Sequence, residues 1–350
     1  MFYHHLKKII LFTLLLSITI NTYATETLIF AFDLIRHGDR TPLLAIPNTQ
    51  HTWPEGMGQL TARGMRQELQ RGDELRRRYI EQYHLLPAHY QNETMYVFAT
   101  NFDRTLMSAN SILLGLYTLG TGPRLSEKTP ALPIFYQPIP VHTRPLESEP
   151  FIGDPDKFNQ QLTQYLYTQP QWIKKTQELQ TKLAIWNQAT GLNLTNLHEL
   201  EILADALRIY KIHRIPLPTT LNDADVKEIL AVGSWAFTTE YKTKEIANLA
   251  GTPLLLKISD YLQTASQENT PLKYVLFVAH DSTVMSLLTT LGAPLNTPPP
   301  YAANVSVLLF KVEKGNYIVK VVYNGKAVSI PACNGTSCSL DQFMKLAGLT

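Results

Sequence analysis

The sequence predicts an α/β fold: a central, mostly parallel sheet flanked by helices, with an inserted and mainly helical cap. Three observations predict it. The short runs 28–35, Met95–Ala99 and Tyr274–Ala279 are almost wholly apolar and read as strands buried on both faces. Helical spacing lies between them, and strands alternating with helices build a helix-covered sheet. From about residue 156 to residue 262 the sequence turns to Gln, Lys, Leu and Tyr at helical spacing with few β-branched runs, which reads as the cap.

Taken in order, the chain opens on Lys7 and Lys8, an apolar run 9–20, and Thr22-Tyr23-Ala24. A basic start, a short apolar stretch and small residues at a cleavage point are the pattern of a signal peptide, expected over residues 1–24. The run is too short for a comfortable membrane span. The mature chain is therefore expected to be exported, to the periplasm, the medium or a lysosomal-type lumen. After the first strand, Thr61 is a good N-cap, and Met65, Leu69, Leu75, Tyr79 and Tyr83 place an apolar face on the helix that follows. Helices are also expected over residues 104–117 and 282–291. Pro216-Leu217-Pro218 interrupts the cap. Runs 305–312 and Tyr317–Tyr323 around Lys314-Gly315-Asn316 predict a hairpin that extends one edge of the sheet. The expected division is a core of residues 25–132 and 250–350, with a cap of residues 133–249.

A formal net charge of +2 without a Lys/Arg-rich run gives no reason to expect nucleic acid, so any positive site must be local. Two cysteines, Cys333 and Cys338, flank an Asn-Gly turn, and export predicts a disulfide between them. With two thiols and no clustered histidine, no metal is expected; His84 and His89 read as surface residues.

A polar cluster follows each buried strand: Arg36-His37-Gly38-Asp39-Arg40-Thr41-Pro42, Thr100-Asn101-Phe102-Asp103-Arg104-Thr105 and His280-Asp281-Ser282-Thr283. Ligands of open α/β sheets bind outside the carboxyl ends of the strands. Parallel neighbouring strands would thus gather three arginines, two histidines and a carboxylic acid. Phosphoryl transfer needs such a set, because it rests on positioning and on stabilising charge spread over phosphate oxygens. Arginine forks bind those oxygens in pairs. A neutral histidine beside them is a competent nucleophile, and Asp281 could give a proton to the leaving oxygen. The competing reading is a structural ion-pair network in which Asp39 and Asp103 pair with some of the arginines.

The residues 36–42 resemble the signature of the histidine acid phosphatases, a branch of the histidine phosphatase superfamily. Residues 53–61, 103–109 and 279–284 are similar to the prostatic and lysosomal acid phosphatases, as are Pro140-Val141-His142-Thr143, Pro300-Tyr301-Ala302 and the C-terminal cysteine segment. The resemblance implies that His37 is the phosphorylated nucleophile, that Arg36, Arg40, Arg104 and His280 bind phosphate, and that Asp281 is the proton donor. It also implies no metal, no cofactor and a helical cap that shapes substrate choice. Two departures stand out. Animal members of the family have more cysteines, and Arg144 occupies a place where an apolar residue is expected, which would add charge near the pocket rim. The expected function is an acid phosphatase acting on small phosphomonoesters, phosphopeptides among them, with homodimerisation open. The alternatives are a phytase or sugar-phosphatase, a mutase-like phosphotransferase, and a catalytically dead phosphoester-binding protein. Export argues against the mutase, and the presence of both nucleophile and acid argues against the binder.

Overall fold

A computed structural model describes residues 26–146, 155–267 and 270–349. The signal-peptide expectation for residues 1–24 lies outside the described residues. Strand β1 (Thr27–Arg36) is buried along nearly its whole length, as its unbroken apolar run requires. It pairs in parallel with β5 (Tyr274–Ala279), which pairs in parallel with β2 (Met95–Ala99). On the other side, β1 pairs antiparallel with β6 (Asn304–Lys311), followed by β7 (Tyr317–Tyr323) and the short β8 (Lys326–Ala327). The expected hairpin is β6–β7, turning through residues 313–315. A separate two-stranded ribbon, β3 (Arg124–Ser126) and β4 (Thr129–Pro130), lies at the surface. Such a sheet, flanked by helices, is the α/β fold read from the sequence.

Helices α1 (Ala62–Arg76) and α2 (Asp103–Leu116) cover one face of the sheet, where Ala31, Ile35, Leu276 and Val278 meet Leu75, Ile112 and Leu116. Thr61 caps α1 by accepting from the Gly64 amide. The face that α1 buries differs from the one expected. Gly64, Glu68, Gly72 and Leu75 are buried, whereas Met65 is exposed. The reason is close approach between backbones: a Cβ on Gly72 would sit 2.0 Å from the Ile112 carbonyl oxygen in α2. Glycines, not large apolar residues, mark this contact, so hydrophobic spacing alone misplaces it.

The opposite face packs against α7 (Lys244–Ser266), α8 (Asp281–Thr290) and α9 (Leu340–Leu346), with Phe30, Phe32, Phe277, Leu254, Ile258 and Leu287 in its core. Strand β9 (Cys338–Ser339) precedes α9 and pairs with β7. A disulfide joins Cys333 to Cys338 beside this core. Short α3 (Pro155–Gln161) leads to α4 (Pro170–Thr190), α5 (Leu197–Ile212) and α6 (Asp223–Lys242), which enclose a second core of Trp172, Trp186, Leu200, Leu207 and Ile229. Asn196 and Asn222 cap α5 and α6, and Gly191 ends α4 in the left-handed region at φ 75°. Ile46 and Trp53, from the loop after β1, pack into this second core. That loop ties the helical unit to the end of β1.

Candidate active site

Register brings the three polar clusters together. Arg36 pairs with Ala279, and Ala99 with Val278, so the three parallel strands end at one level. The His37 amide donates to the Ala279 carbonyl (3.0 Å) and the Thr100 amide to the Val278 carbonyl (3.1 Å). His37, Thr100 and His280 therefore leave the sheet side by side. Gly38 fits because α1 presses against it: a Cβ there would lie 2.5 Å from the Gly64 carbonyl oxygen.

His37 is buried, and its Nδ1 stands 2.8 Å from the Gly38 carbonyl. A carbonyl only accepts, so Nδ1 carries the proton and Nε2 keeps its lone pair. Burial, then Arg36, pushes the imidazole well below its ordinary pKa, with His280, Arg104 and Arg40 acting the same way. The neutral ring faces His280 edge-on at 5.6 Å and Tyr301 at 5.9 Å between centroids.

His280 belongs to a directed chain. Arg104 lies 3.4 Å from its Nδ1, and Nε2 is 3.0 Å from Thr100 Oγ1. Thr100 donates onward to Thr105, whose hydroxyl donates to the Thr100 carbonyl. His280 Nε2 must then be the donor to Thr100, leaving Nδ1 to accept from Arg104. Burial and Arg104 bring the His280 pKa down to about 3, so this ring is also neutral. Burial and Arg40 lower Arg104 to about 10.

Arg36 and Arg40 are each paired with an acid, and neither acid is one that the competing ion-pair reading names. Arg36 pairs with Asp281 at 2.7 Å, donates to the Pro299 carbonyl, and lies 4.3 Å over the Tyr301 ring. Arg40 pairs with Asp205 at 2.9 Å. Burial works against Arg40's charge, yet Asp205, Tyr301 and Asp281 together outweigh it and raise the pKa. Asp39 instead accepts from Thr61 and from His213 Nε2, both at 2.6 Å, and Asp103 accepts from Gln59. Burial pushes the Asp281 carboxyl up, but Arg36 and Arg40 outweigh it and hold the acid below its usual range. Each of these arginines keeps a buried Nε without a partner, as does Arg104.

A cavity of about 310 Å³ opens beside the cluster, lined by Arg36, Gln67, Asp205, Arg208, Ser234 and Tyr301. Asp205, Arg208 and His213 come from α5 or its C-cap and were missed in the sequence. Asp205 leaves one signal, an acid set among Leu203, Ala204, Ala206 and Leu207 on a buried helix face. Arg144 does not reach this rim. It lines a different cavity, with Phe32, Tyr96, Lys257 and Tyr261 against the sheet. His84 and His89 are exposed, as expected, each bonding a backbone carbonyl.

Residues 27–324 match the family model described as histidine phosphatase superfamily (branch 2). The chain is 30% identical over 337 residues to the lysosomal acid phosphatase of Bos taurus, covering 92% of this chain and 77% of the relative. It is 30% identical over 341 residues to the prostatic acid phosphatase of Homo sapiens, covering 90% and 83%. Among solved structures, the apo phytase of Hafnia alvei superposes with a TM-score of 0.65 at 18% identity, over 92% of this chain and 96% of that one. The phytase of Klebsiella sp. ASR1 superposes at 0.66 and 16% identity, over 93% and 96%. These two likenesses bear on the fold alone.

Proposed function

The chain belongs to branch 2 of the histidine phosphatase superfamily and is an acid phosphatase, and on that premise we propose that it hydrolyses phosphomonoesters through a phosphohistidine on His37, without a metal or other cofactor. The observation that carries this reading is the His37 tautomer: Nδ1–H is engaged by Gly38, so Nε2 keeps its lone pair on a buried ring held neutral beside Arg36, Arg104 and Arg40. Phosphate oxygens take up Arg36, Arg40 and Arg104, whose unpartnered Nε groups mark unused donor capacity. His280 holds Arg104 in place through the threonine chain. Nε2 attacks phosphorus, the P–O bond breaks, and the leaving oxygen takes the Asp281 proton. Water then displaces the phosphoryl group from Nε2, giving its proton to Asp281. The arginines supply the charge stabilisation that a metal supplies elsewhere.

Asp281 must be protonated for the first step, while Arg36 holds it ionised in the empty site. A phosphate dianion competes for Arg36 and places negative charge beside Asp281, and both effects raise the acid's pKa. Acid pH is thus where neutral His37 and protonated Asp281 coexist. The cavity wall carries Asp205 and Arg208 rather than a ring of cations, which favours a single phosphate group over a polyphosphorylated substrate. Export through residues 1–24 fits the lysosomal and prostatic relatives. The test is acid quenching during turnover of a labelled phosphomonoester. Label is expected on His37 and absent in a folded, inactive His37→Ala variant. Label on another residue, or an active His37→Ala, overturns the mechanism.

A further inference from the structure

Behind the arginine cluster, a cavity of about 30 Å³ separates α5 and α6 from the start of α8. It is lined by Arg36, Glu201, Asp205, Arg208, Ser234 and Asp281. That volume suits one or two waters, which need polar partners such as these walls provide. Glu201 thus faces Asp281 across a water-sized gap. On its other side, Glu201 Oε2 lies 3.8 Å from His198 Nδ1, which bonds Glu240 Oε1 at 2.9 Å. Glu240 is fully buried, and its second oxygen has no partner. His198 is one-third exposed, so the cluster reaches solvent through it.

We propose that Glu201 and Asp281 hold one proton between them across this cavity, and that a bound phosphate group moves it from Glu201 to Asp281. The inference rests on the phosphohistidine reading above and makes Glu201 a positioning residue acting through Asp281. The groups facing Glu201 are His198, Asp205 and Arg208 on its own helix, Glu240 and Tyr241 on α6, and Asp281 on α8. Burial, then Glu240, Asp281 and Asp205, pushes the Glu201 carboxyl well above its usual range, against Arg208. In the empty site the proton therefore rests on Glu201, while Arg36 keeps Asp281 ionised.

When the dianion takes Arg36, the preference reverses. The Glu201 O–H passes its proton through the cavity water to an Asp281 carboxylate oxygen, leaving Glu201 ionised. Asp281 then protonates the leaving oxygen, whose bond to phosphorus breaks, and recovers a proton from the attacking water. When phosphate leaves, Arg36 returns to Asp281, and the proton returns to Glu201. Two carboxyls coupled this closely titrate as a pair.

The test compares wild type with Glu201→Gln, which keeps the shape but holds no transferable proton. Turnover of an alkyl monophosphate and of p-nitrophenyl phosphate is measured across pH. In Glu201→Gln, Asp281 must be loaded from solvent, so the alkaline limb for the alkyl ester moves down by about one unit or more. Turnover on that limb then falls about tenfold, while rates at the acid end match wild type. p-Nitrophenyl phosphate, with its good leaving group, shifts less. An unchanged profile, or a loss equal at every pH and for both esters, overturns the proposal. Glu240→Gln lowers the charge that raises Glu201 and should move the limb the same way by less; no movement there also overturns it. Wild-type phosphohistidine trapping is scored separately, so failure of the underlying mechanism is distinguishable from failure of this proposal.

Discussion

At the scale of single residues, Asp281 is held by one ion pair and one backbone amide, from Arg36 and Ser282. Asp281→Asn keeps the shape and carries no acidic proton, but its single acceptor oxygen can serve Arg36 or the Ser282 amide and not both. Turnover of an alkyl phosphate should then fall about 10²–10⁴-fold, the usual effect of a positioned general acid. p-Nitrophenyl phosphate should fall less, and acid quenching should still trap phosphohistidine. Equal losses on the two esters would assign Asp281 to positioning instead. The sequence made His37, Arg36, Arg40, Arg104, His280 and Asp281 legible because each closely follows a strand that its apolar run announces. Asp205, His213 and Glu201 were not legible for the converse reason. They sit on α5 or at its C-cap, and only tertiary packing of that helix brings Asp205 to within 2.9 Å of Arg40 and His213 to within 2.6 Å of Asp39. Asp39 and Asp103, which the competing ion-pair reading sets against the arginines, lie near them in sequence but bond elsewhere.

At the scale of elements, strands read better than helix faces. β2 and β5 match their apolar runs residue for residue, because a strand buried on both faces must be continuously apolar. The α1–α2 contact is set by missing side chains, which periodicity of large residues cannot report. Gly72→Ala tests it. A methyl 2.0 Å from the Ile112 carbonyl forces the helices apart, and overpacking of this kind costs about 1–3 kcal/mol. Thermal unfolding should show the loss; an unchanged midpoint would mean that the helices separate freely. The Cys333–Cys338 loop makes the opposite case. Its sequence separation is only 5, so the bond restricts the unfolded chain little and should contribute about 2 kcal/mol at most. Replacing both cysteines with serine should lower the melting temperature modestly and leave turnover unchanged, since the loop packs beside Phe343 and α9, away from His37. A large activity loss in that variant would contradict this placement.

Over the whole molecule, the buried ionisable groups set the pH range in which the fold is most stable. His37 and His280 have folded pKa values below the ordinary imidazole value of 6.5, so below pH 6.5 the unfolded chain binds protons that the folded chain refuses. Glu68 and Glu201 have folded values above 4.5, so above pH 4.5 the folded chain keeps protons that the unfolded chain releases. For Glu68 the first cause is burial, and neither of its oxygens has a partner. Between about pH 4.5 and 6.5 the histidine and glutamate differences act in opposite directions and oppose each other. Above 6.5 the histidines are neutral in both states, and only the glutamate difference remains, so stability falls as pH rises. His198 adds to that fall: its folded value is raised, chiefly by its hydrogen bond to Glu240, although its partial exposure weakens the effect. Below 4.5 the histidine difference remains alone, and below 3.8 Asp281, whose folded value is depressed, joins it, so stability falls as pH drops. Each fully shifted group changes stability by about 1.4 kcal/mol per pH unit. The melting temperature of the phosphate-free protein should therefore be highest between about pH 4.5 and 6.5 and decline on both sides. Glu68→Gln, which has no proton to lose, should carry the stability maximum toward neutral pH. A melting temperature that rises steadily from pH 5 to pH 8 would show that these buried groups do not govern the fold's pH response.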